Sequence, residues 1–368
     1  MRWLIVNKFY NDVIGGVETL VDQHVKFLLS EDEKVTVICC ASRFQFLTKI
    51  SKKRNLKVIR CSTLFVLWGM PISFSFFYWL LRESKVNTKI EFHYPFPLAD
   101  IGSFFMKKKS GLFLFWHSDI IRQRSVEVLL KPFTNKLIKR CHIITTSPVL
   151  AKESKYLKTL PSNQVSVVPI SLPAQITYRR NTLLNIPDKY FLSLGRISSY
   201  KGIDILLKAI CLIKNQIPFP LLLVGDGPLL NDMENFVKDK NIQNLVSIIP
   251  YYVNEEEKQY LFKNSEFFVL PSTQPSEAFG ITQLEALRAN KPILNTRLKS
   301  GVPWVSLDRV TGITVKPSSV SSFADGLKNM FDNYKDFKNS PKKRFEEVFQ
   351  EEKVKLKLLK AFKKTNII

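Results

Sequence analysis

The chain has 368 residues, of which 45% are hydrophobic and 24% are charged. This ordinary globular composition excludes a disordered or fibrous protein, and at about 100–200 residues per domain the length predicts two domains. The net charge of +23 is uneven: residues 1–180 carry 28 Lys+Arg and 12 Asp+Glu (+16), and the rest carry 27 and 20 (+7). A basic first half favours an anionic partner, either nucleic acid, an acidic membrane or a phosphorylated substrate.

Cysteine usage and the N-terminus predict a cytoplasmic protein. The five cysteines form no C-x-x-C pair and no metal-ligand spacing with the four histidines, which is typical of reduced thiols. The apolar run after Met1-Arg2 covers only Trp3–Val6, too short for the core of a signal peptide.

One apolar stretch, Leu64–Leu81, is 18 residues long and carries no charge, which is just long enough to suggest a membrane span. Gly69-Met70-Pro71 interrupts it, and proline breaks hydrogen bonding inside a helix. The main prediction is a buried strand, a turn and a helix beginning near Pro71. Contact with one face of a membrane and a true span are the alternatives.

Apolar runs of β type alternate with amphipathic runs along the chain. In the first half the predicted strands are Trp3–Val6, Val35–Cys40, Leu112–Trp116, His142–Thr146 and Val165–Val168. In the second half they are Tyr190–Leu194, Leu221–Val224, Leu245–Ile249, Phe267–Leu270, Pro292–Asn295 and Ile313–Val315. The predicted helices are Val17–Leu28, Ile203–Leu212 and Thr282–Arg288. This alternation predicts an α/β protein with two parallel sheets, each covered on both faces.

The boundary between the halves is visible as a stretch from Pro169 to Lys189 with three prolines and no clear period. We therefore expect an N-terminal domain at 1–172, a linker at 173–188 and a C-terminal domain at 189–340. A charged helical tail is predicted for 341–368.

Two glycine-rich turns follow predicted strands. Gly15-Gly16 precedes a helix, whose N-terminus offers unpaired N–H groups to an anion; a flexible turn is the simpler interpretation. Gly225-Asp226-Gly227-Pro228 either flanks a nucleotide or is plain turn chemistry, and the sequence favours the turn.

Two cations, Arg196 and Lys201, lie five residues apart between a strand and a helix. Ligands of open α/β sheets bind at the carboxyl ends of the strands, so this pair could clamp a diphosphate. A solvated basic turn is the alternative.

The run from Ser276 to Ala286 is the most informative segment. Glu277 lies in a loop, and Glu285 follows eight residues later, about two turns into a helix. Two such carboxylates can accept hydrogen bonds from two sets of sugar hydroxyls, and Gly280 can bring backbone N–H groups close to a phosphate. Glu285 alone would be consistent with a solvated helix face.

His117 follows the strand Leu112–Trp116, within Trp116-His117-Ser118-Asp119 and upstream of Arg122 and Arg124. A histidine at the carboxyl end of a strand can donate or accept a proton near neutral pH. The remaining three histidines are interpreted as structural: His24 on a helix, His93 in a loop before Pro95 and His142 at the start of a strand.

Together these motifs resemble glycosyltransferase family 4, in the order Gly15-Gly16-Val17-Glu18, Gly195-Arg196 with Lys201-Gly202, Gly225-Asp226-Gly227-Pro228 and Glu277-x7-Glu285. Gly301-Val302-Pro303-Trp304-Val305 and Thr311-Gly312 resemble the end of the family's donor domain, and Trp116–Ile120 is similar to a segment of its bacterial polysaccharide members. The resemblance runs from about residue 3 to 330. It implies a retaining enzyme of the GT-B fold, with two Rossmann-like domains facing each other across a cleft.

The resemblance also implies roles for individual residues. Arg196 and Lys201 would bind the donor diphosphate, Glu277 the transferred sugar and Glu285 the ribose. His117 would contact the sugar near the reacting carbon. Gly15, Gly16, Gly225, Phe279, Gly280 and Ile281 would complete the donor site, and no metal or other cofactor is expected.

Two segments depart from the family pattern: the linker turn Val168-Pro169-Ile170-Ser171, and Pro250-Tyr251-Tyr252-Val253, which borders the base in relatives. The implied reaction is transfer of a hexose from a nucleotide sugar to a lipid-linked oligosaccharide of a bacterial O-antigen or capsule. Mannose is the favoured hexose. The basic clusters Lys52-Lys53-Arg54, Lys107-Lys108-Lys109 and Lys139-Arg140 would hold the enzyme at the inner face of the membrane.

Three further functions are compatible with parts of the sequence. Nucleic-acid binding would suit the net charge, but no motif supports it. An inactive GT-B protein and a nucleotide-sugar epimerase of the same fold would each share the motifs. The intact Glu277, Glu285, Arg196 and Lys201 favour an active enzyme over the inactive protein, and the epimerase stays an alternative.

Overall fold

The computed structural model describes residues 1–13, 15–67, 69–107, 111–119, 124–174, 177–179, 181 and 186–364, without the side chains of residues 124–126. The chain forms two compact units, Met1–Val168 with Lys355–Ile368 and Pro169–Val354. The segment 341–368, expected as a tail, is therefore shared between the units. The positions outside the described residues are 14, 68, 108–110, 120–123, 175, 176, 180, 182–185 and 365–368; of the residues named above, they include Lys108, Lys109, Ile120 and Arg122.

The first unit is built on an eight-stranded sheet in the order β10-β9-β8-β7-β1-β2-β4-β3 when its strands are numbered along the chain. The strands are β1 (Arg2–Val6), β2 (Lys34–Cys40), β3 (Lys49–Lys53), β4 (Leu56–Cys61), β5 (Phe65–Leu67), β6 (Met70–Ile72), β7 (Lys89–Tyr94), β8 (Leu112–Trp116), β9 (His142–Thr145) and β10 (Val165–Val167). The helices are α1 (Gly16–Ser30), α2 (Phe74–Val86), α3 (Pro97–Phe104), α4 (Arg124–Arg140) and α5 (Pro148–Glu153). All pairings in this sheet are parallel except β3 with β4, and β5 and β6 form a separate antiparallel hairpin.

The second unit has a six-stranded, fully parallel sheet in the order β13-β12-β11-β14-β15-β16. Its strands are β11 (Phe191–Leu194), β12 (Leu221–Val224), β13 (Val246–Ile249), β14 (Phe268–Val269), β15 (Ile293–Thr296) and β16 (Gly312–Val315). Its helices are α6 (Ile203–Leu212), α7 (Leu230–Asp239), α8 (Glu255–Asn264), α9 (Ile281–Arg288), α10 (Val302–Val305), α11 (Val320–Asn333) and α12 (Ser340–Val348). The last helix is α13 (Glu351–Ala361). Phe362 follows it and belongs to the first unit, where its ring packs on Trp3.

Buried apolar strands form the core of each unit, as in sheets covered on both faces. In β1 and β12 nearly every side chain is buried, which explains why these segments read as continuous apolar runs. Each strand predicted from an apolar run overlaps a strand of the structure. Because the strands are parallel, their carboxyl ends share one edge, and that edge carries the loops with the candidate site residues.

Three strands of the first sheet were not predicted, because none is a continuous apolar run. β3 is the antiparallel edge strand and is fully exposed, which suits its lysines. β4 mixes Lys57 and Arg60 among apolar residues. β7 contains Glu91 and His93, although all but its first residue are buried, so the prediction that His93 lies in a loop was wrong.

The stretch Leu64–Leu81 forms the hairpin β5–β6 followed by α2. A strand and a following helix are present as predicted, but the strand is largely exposed, and Pro71 lies in β6 before the helix begins. Phe65 and Leu67 of β5 are exposed. The helix begins at Phe74 because the Ser73 side chain caps it by accepting the N–H of Phe76. Among the described residues, no helix combines the length and apolar character needed to cross a membrane.

One buried carboxyl group makes the stability of the first unit depend on pH. Asp100 of α3 is buried, and Thr134 Oγ1 donates a hydrogen bond to its Oδ2 at 2.7 Å. Burial raises the pKa of Asp100 from 3.8 to about 7, although the Thr134 hydrogen bond opposes the shift. Because the folded state then binds the proton more tightly than the unfolded state, stability is full below the unfolded pKa and falls as the pH rises through about 7.

We expect Asp100→Asn to abolish this decline, because the amide keeps the acceptor for Thr134 and carries no charge. The measurement is Tm against pH by calorimetry, for the variant beside the wild type. A decline of unchanged size in the variant would contradict the assignment.

Candidate active site

Two loops of the second unit bring Lys201 and Glu277 together at the carboxyl edge of the sheet. One loop follows β11 and the other follows its neighbour β14. Thr273 donates hydrogen bonds to Tyr200 O from its backbone N at 2.8 Å and from Oγ1 at 3.3 Å. Gly202, with φ of 68°, allows this approach, because a Cβ there would clash with Pro271 O. The loops are thus fixed to each other by backbone contacts.

Lys201 and Glu277 form an ion pair, in which Glu277 is buried and Lys201 is partly buried. Lys201 Nζ lies 2.6 Å from Glu277 Oε2, which also accepts a hydrogen bond from Ser272 Oγ at 3.2 Å. Burial acts to lower the pKa of Lys201, but the Glu277 carboxylate outweighs burial and holds the pKa above its usual value. Lys201 is therefore charged at neutral pH. An ammonium group has three donors, so two remain for a ligand beyond Glu277.

Arg196 lies in the same loop as Lys201, and its side chain is exposed. No ion pair to Arg196 is found within the described part of the chain. The loop is held against the next turn by a hydrogen bond from Ile197 N to Asp226 O at 2.8 Å. Gly225, with φ of 143°, makes room, because a Cβ there would clash with Gly195 O. The turn 225–228, for which the sequence favoured plain turn chemistry, thus supports the Arg196 loop.

The segment Pro250–Val253, which departs from the family pattern, lies beside the same turn. The Tyr252 hydroxyl donates a hydrogen bond to Asp226 O at 3.1 Å, and the rings of Tyr251 and Tyr252 are exposed. An aromatic face is therefore available next to the Gly225–Pro228 turn.

Glu285 is buried, so the interpretation as a solvated helix face was wrong. Its Oε1 lies 2.5 Å from Lys258 Nζ of α8, and Lys258 Nζ also lies 2.7 Å from Glu255 Oε2. Burial raises the pKa of Glu285, and Lys258 opposes that shift. Burial acts to lower the pKa of Lys258, but its two carboxylate partners outweigh burial and raise it. Sequence reasoning missed Lys258 because only the packing of α8 on α9 brings it to Glu285.

A buried polar network fixes the backbone between Glu277 and α9. Gln283 Nε2 donates to Phe279 O at 3.0 Å, and Asn295 Nδ2 donates to Gln283 Oε1 at 2.8 Å. Both amides are fully buried, and Asn295 Oδ1 accepts from Thr314 Oγ1 at 2.7 Å. A polar residue inside the strand Ile293–Thr296 was the sequence signal for this network.

The loop Phe279–Ile281 presents backbone donors. The Phe279 ring is buried and packs near Trp304 and Phe349, so it faces the core. Gly280 has φ of 71°, which places α9 directly behind the loop. The N–H groups of Phe279 and Gly280 have no partner among the described residues, and Ile281 begins the helix. Such free N–H groups at a helix N-terminus suit an anion.

In the first unit, His117 follows β8 and is 7% exposed. Asp119 fixes its loop: Oδ1 accepts from Trp116 Nε1 at 2.9 Å and from Ser154 Oγ at 2.6 Å. Burial holds the pKa of His117 well below its usual value, and the neighbouring histidines act in the same direction. The ring is therefore neutral at physiological pH.

His117 heads a row of buried side chains that the sequence did not reveal. Its Nε2 lies 2.9 Å from His93 Nδ1, and His93 Nε2 lies 3.2 Å from Glu91 Oε1. The same Glu91 oxygen lies 2.6 Å from His24 Nδ1. His24 and His93 are thus not isolated structural histidines. The signal was Glu91-x-His93, a spacing that puts both side chains on one face of a strand.

The atoms of His24, Glu91 and His93 that could bind a metal lie within 4.8 Å of one another. Two ligands on one zinc ion would be about 3.3 Å apart for bonds near 2.1 Å. The 2.6 Å contact between His24 and Glu91 is shorter and has the length of a hydrogen bond. The contact between His24 and Glu91 is therefore better described as a hydrogen bond than as two ligands of one metal ion.

Gly15 and Gly16 lie at the start of α1, as predicted. Gly15 is the N-cap, in an extended conformation, and Gly16 is the first helical residue. Glu18 folds back over this turn, since a Cβ on Gly15 would clash with Glu18 Oε2. A ligand anion at this helix N-terminus therefore requires Glu18 to move aside.

Comparison with known proteins shows that the chain is similar to glycosyltransferases. A family model described as "Glycosyl transferases group 1" matches residues 175–347. The chain is 26% identical to the O-antigen chain mannosyltransferase C of Escherichia coli over 365 residues, covering 95% of this chain and 94% of the relative. The segment 175–347 thus matches the group 1 glycosyltransferases. The resemblance drawn from the motifs is thereby confirmed.

A second similar protein is the D-rhamnosyltransferase WbpZ of Pseudomonas aeruginosa. It is 26% identical over 354 residues, covering 90% of this chain and 87% of the relative. Among solved structures, Anabaena Alr3699/HepE in complex with UDP matches with a TM-score of 0.74 at 14% identity, over 99% of this chain and 100% of that chain. This similarity and the two parallel-sheet units confirm the GT-B fold class. The roles of the individual site residues stay predictions.

Proposed function

We propose that the chain is a retaining, metal-independent hexosyltransferase of bacterial O-antigen or capsule biosynthesis. Its donor is a nucleotide sugar, with mannose favoured, and its acceptor is a lipid-linked oligosaccharide. The named relatives support the pathway and the sugar class, and the UDP complex of HepE supports a nucleotide donor. The observation that carries the proposal is the ion pair between partly buried Lys201 and buried Glu277, in the loop next to exposed Arg196.

In this proposal the donor binds along the carboxyl edge of the second sheet. Arg196 and Lys201 bind the diphosphate, and free N–H groups of the loop Phe279–Ile281 add donors. Glu277 accepts hydrogen bonds from the transferred sugar. The Gly225 turn, which supports the Arg196 loop, borders the nucleotide, and Gly15 and Gly16 offer backbone N–H groups to the phosphates. Glu285, held by Lys258, accepts from the ribose hydroxyls.

The proposed chemistry follows from these charges. As the nucleoside diphosphate departs, negative charge grows on the phosphate and positive character on the anomeric carbon. Arg196 and Lys201 stabilise the negative charge on the phosphate. Lys201 does so without reorganising, because Glu277 and Gly202 already fix its position. We assign no nucleophilic carboxylate: attack from the same face as the departing phosphate gives retention, and the two cations replace a metal ion.

His117 is proposed to orient the sugar hydroxyls and not to attack the sugar. The ring is neutral, and His93 occupies one of its two nitrogens. A neutral imidazole with one nitrogen engaged has one atom left for a ligand.

We also propose that the enzyme is cytoplasmic and peripheral at the inner face of the membrane. An apolar patch supports this: Phe44, Phe46, Leu47, Phe65 and Phe74 are each more than half exposed. The loop of Phe44–Leu47 is joined to the hairpin and α2 by hydrogen bonds from Gln45 N to Thr63 O at 2.9 Å and from Thr48 Oγ1 to Ser75 Oγ at 3.2 Å. Exposed Lys49, Lys52 and Lys53 of β3 directly follow that loop. Arg140, by contrast, holds the carbonyls of Ser103 and Met106.

Phe46→Ser with Phe74→Ser is expected to abolish most binding to phosphatidylglycerol vesicles. Each lost aromatic contact costs about 1.5–3 kcal/mol, and each lysine near the surface adds about 1 kcal/mol that high salt removes. The measurement is vesicle co-sedimentation against salt, with Leu356→Ser as a control for an exposed apolar residue elsewhere. Equal binding by the double variant and the control would contradict the patch, as would binding that high salt leaves unchanged.

The transfer itself is tested with purified protein, EDTA, individual nucleotide sugars and lipid-linked oligosaccharide extracted from membranes. The proposal expects one nucleotide sugar to extend the acceptor with the anomeric configuration of the donor, read by NMR of the product. An inverted configuration would overturn retention, and activity restored only by a divalent metal would overturn metal independence.

A further inference from the structure

Beneath His117 lies a row of three buried side chains, Glu91, His93 and His24, that the proposed reaction does not use. His24 and Glu91 are 1% and 0% exposed, and His93 is 2% exposed. Glu91 and His93 lie on one face of β7, and β7 pairs with β8, the strand that ends just before His117. His24 on α1 covers Glu91 from the helix layer. The fold therefore lines up four titratable side chains with the His117 ring at the end.

The protons in this row can be assigned from the contacts, beginning at Glu91. Burial acts to raise the pKa of Glu91, but its contacts with His24 and His93 outweigh burial and hold the pKa below the usual range. Glu91 is therefore a carboxylate, which only accepts hydrogen bonds. His24 Nδ1, which is hydrogen-bonded to Glu91 Oε1 at 2.6 Å, must then carry a proton. His93 Nε2 lies 3.2 Å from the same oxygen without the geometry of a hydrogen bond, and the negative charge of Glu91 favours a proton on this nitrogen.

The assignment continues to His117. Burial lowers the pKa of His93, so the ring is neutral and carries one proton. With that proton on Nε2, toward Glu91, the Nδ1 atom has a lone pair and accepts. At 2.9 Å from it, His117 Nε2 must be the donor. Because His117 is neutral as well, its Nδ1 carries a lone pair, and no side chain of the described residues binds that atom.

We propose that Glu91, acting through His93, holds His117 in the tautomer protonated on Nε2, so that Nδ1 accepts a hydrogen bond from a hydroxyl of the bound sugar. The inference rests on the proposed function for the sugar, and on the geometry of the row for the tautomer. Glu91, His93 and His24 are positioning residues. His117 in this state cannot protonate the departing phosphate through Nδ1, so it orients a hydroxyl and does not act as a general acid.

The tautomer of His117 also distinguishes the metal-free arrangement of these residues from a metal site. A metal ion bound at His93 Nε2 would displace the proton to His93 Nδ1. His93 would then donate to His117 Nε2, and His117 would carry its proton on Nδ1. The two arrangements thus predict opposite tautomers of His117.

The test is ¹⁵N NMR of histidine-labelled full-length protein, with long-range correlations that separate protonated from unprotonated ring nitrogens. We expect His117 to show a protonated Nε2 and an unprotonated Nδ1 across neutral pH, with and without EDTA. The opposite tautomer, or one that EDTA reverses, would overturn the inference. Assignment comes from the signals lost in His117→Gln.

Two variants test the direction of the coupling. His93→Phe keeps a ring against Phe115 but removes the acceptor, so His117 should become a mixture of tautomers. His93→Gln can still donate to Glu91 and accept from His117, so the tautomer should be restored. His142→Gln, a buried histidine bonded to Ser166 outside the row, is the matched control. A unique His117 tautomer retained in His93→Phe would contradict the coupling.

The kinetic readout separates the inference from the proposed function. We expect kcat of His93→Phe to fall at least about tenfold, as for a wrong histidine tautomer, with donor KM nearly unchanged and near-wild-type values for His93→Gln and His142→Gln. If the tautomer is as assigned but His117→Gln transfers sugar normally, the proposed contact of His117 with the sugar is wrong. The control of the His117 tautomer by Glu91 and His93 is then still supported. If the tautomer is reversed, the control of His117 by Glu91 and His93 is wrong, whatever the activity of the variants.

Discussion

Arg196→Ala and Lys201→Ala each lower turnover by about 10²–10³-fold, the usual loss when one group that stabilises developing negative charge is removed. Arg196 is the cleaner case, because its exposed side chain leaves no buried partner behind. The measurement is kcat for sugar transfer at saturating donor. Lys208→Ala, which removes an exposed cation of α6 paired with Asp204, is the control and keeps full activity. Turnover of Arg196→Ala within a few-fold of the control would contradict the diphosphate clamp.

Lys201→Ala needs a second variant, since it leaves the Glu277 carboxylate buried without its cation. Removing one partner of a buried pair destabilises by about 3–5 kcal/mol. Lys201→Ala with Glu277→Gln removes both charges and should recover stability, measured by thermal unfolding, but not activity. Recovery of activity in the double variant would show that Lys201 serves only to neutralise Glu277.

Glu285→Gln weakens binding of a nucleoside diphosphate at neutral pH, because a neutral amide replaces a charged acceptor of the ribose hydroxyls. About 1.5–3 kcal/mol is typical for a hydrogen bond to a charged group, equivalent to a loss of about 10–100-fold in affinity. The measurement is calorimetric titration. Affinity equal to that of the wild type would contradict the ribose role.

Lys258, the partner of Glu285, allows a test based on how nucleotide affinity changes with pH, and the direction of that change can be predicted. Lys258 opposes the effect of burial on the pKa of Glu285, so Lys258→Met raises that pKa further. The carboxylate is needed for binding, so affinity of the variant should fall as the pH is lowered, more steeply than in the wild type. Lys263→Met, an exposed lysine of the same helix, is the control. A parallel pH dependence in all three proteins would contradict the assignment.

The ion pairs explain why a site of this kind can be preorganised without a ligand. Each of the two glutamates is buried and held by a lysine from another element: Lys201 for Glu277 and Lys258 for Glu285. A buried carboxylate without such a partner would be protonated or costly. Each lysine therefore places a positive charge beside its glutamate and holds that side chain in position.

Sequence alone predicted the α/β class and the apolar strands, because parallel buried strands are continuous apolar runs. It also predicted which loops carry the candidate residues, since glycines and charged side chains follow those strands. It missed β7, whose Glu91 and His93 interrupt the apolar pattern although the strand is buried. It also missed Lys258 and the close contact of Gly225 with Gly195, because contacts across separate strands and helices have no local signature.

The hairpin β5–β6 shows a different limit. An uncharged run of 18 residues indicates burial by composition, yet Phe65 and Phe74 are exposed on the structure. An apolar sequence indicates that a segment is buried from water. It does not indicate whether protein or lipid covers that segment. Only the placement of these side chains on one surface beside the lysines of β3 suggests lipid.

The most direct test of the account is calorimetric titration of the purified protein, in EDTA, with UDP, GDP, ADP and dTDP in turn. The account predicts that at least one of these nucleotides binds without metal, and that Arg196→Ala and Glu285→Gln each weaken that binding while Lys208→Ala does not. Binding of none of them, or binding that Arg196→Ala and Glu285→Gln leave unchanged, would contradict a nucleotide-sugar site at the carboxyl edge of the second sheet.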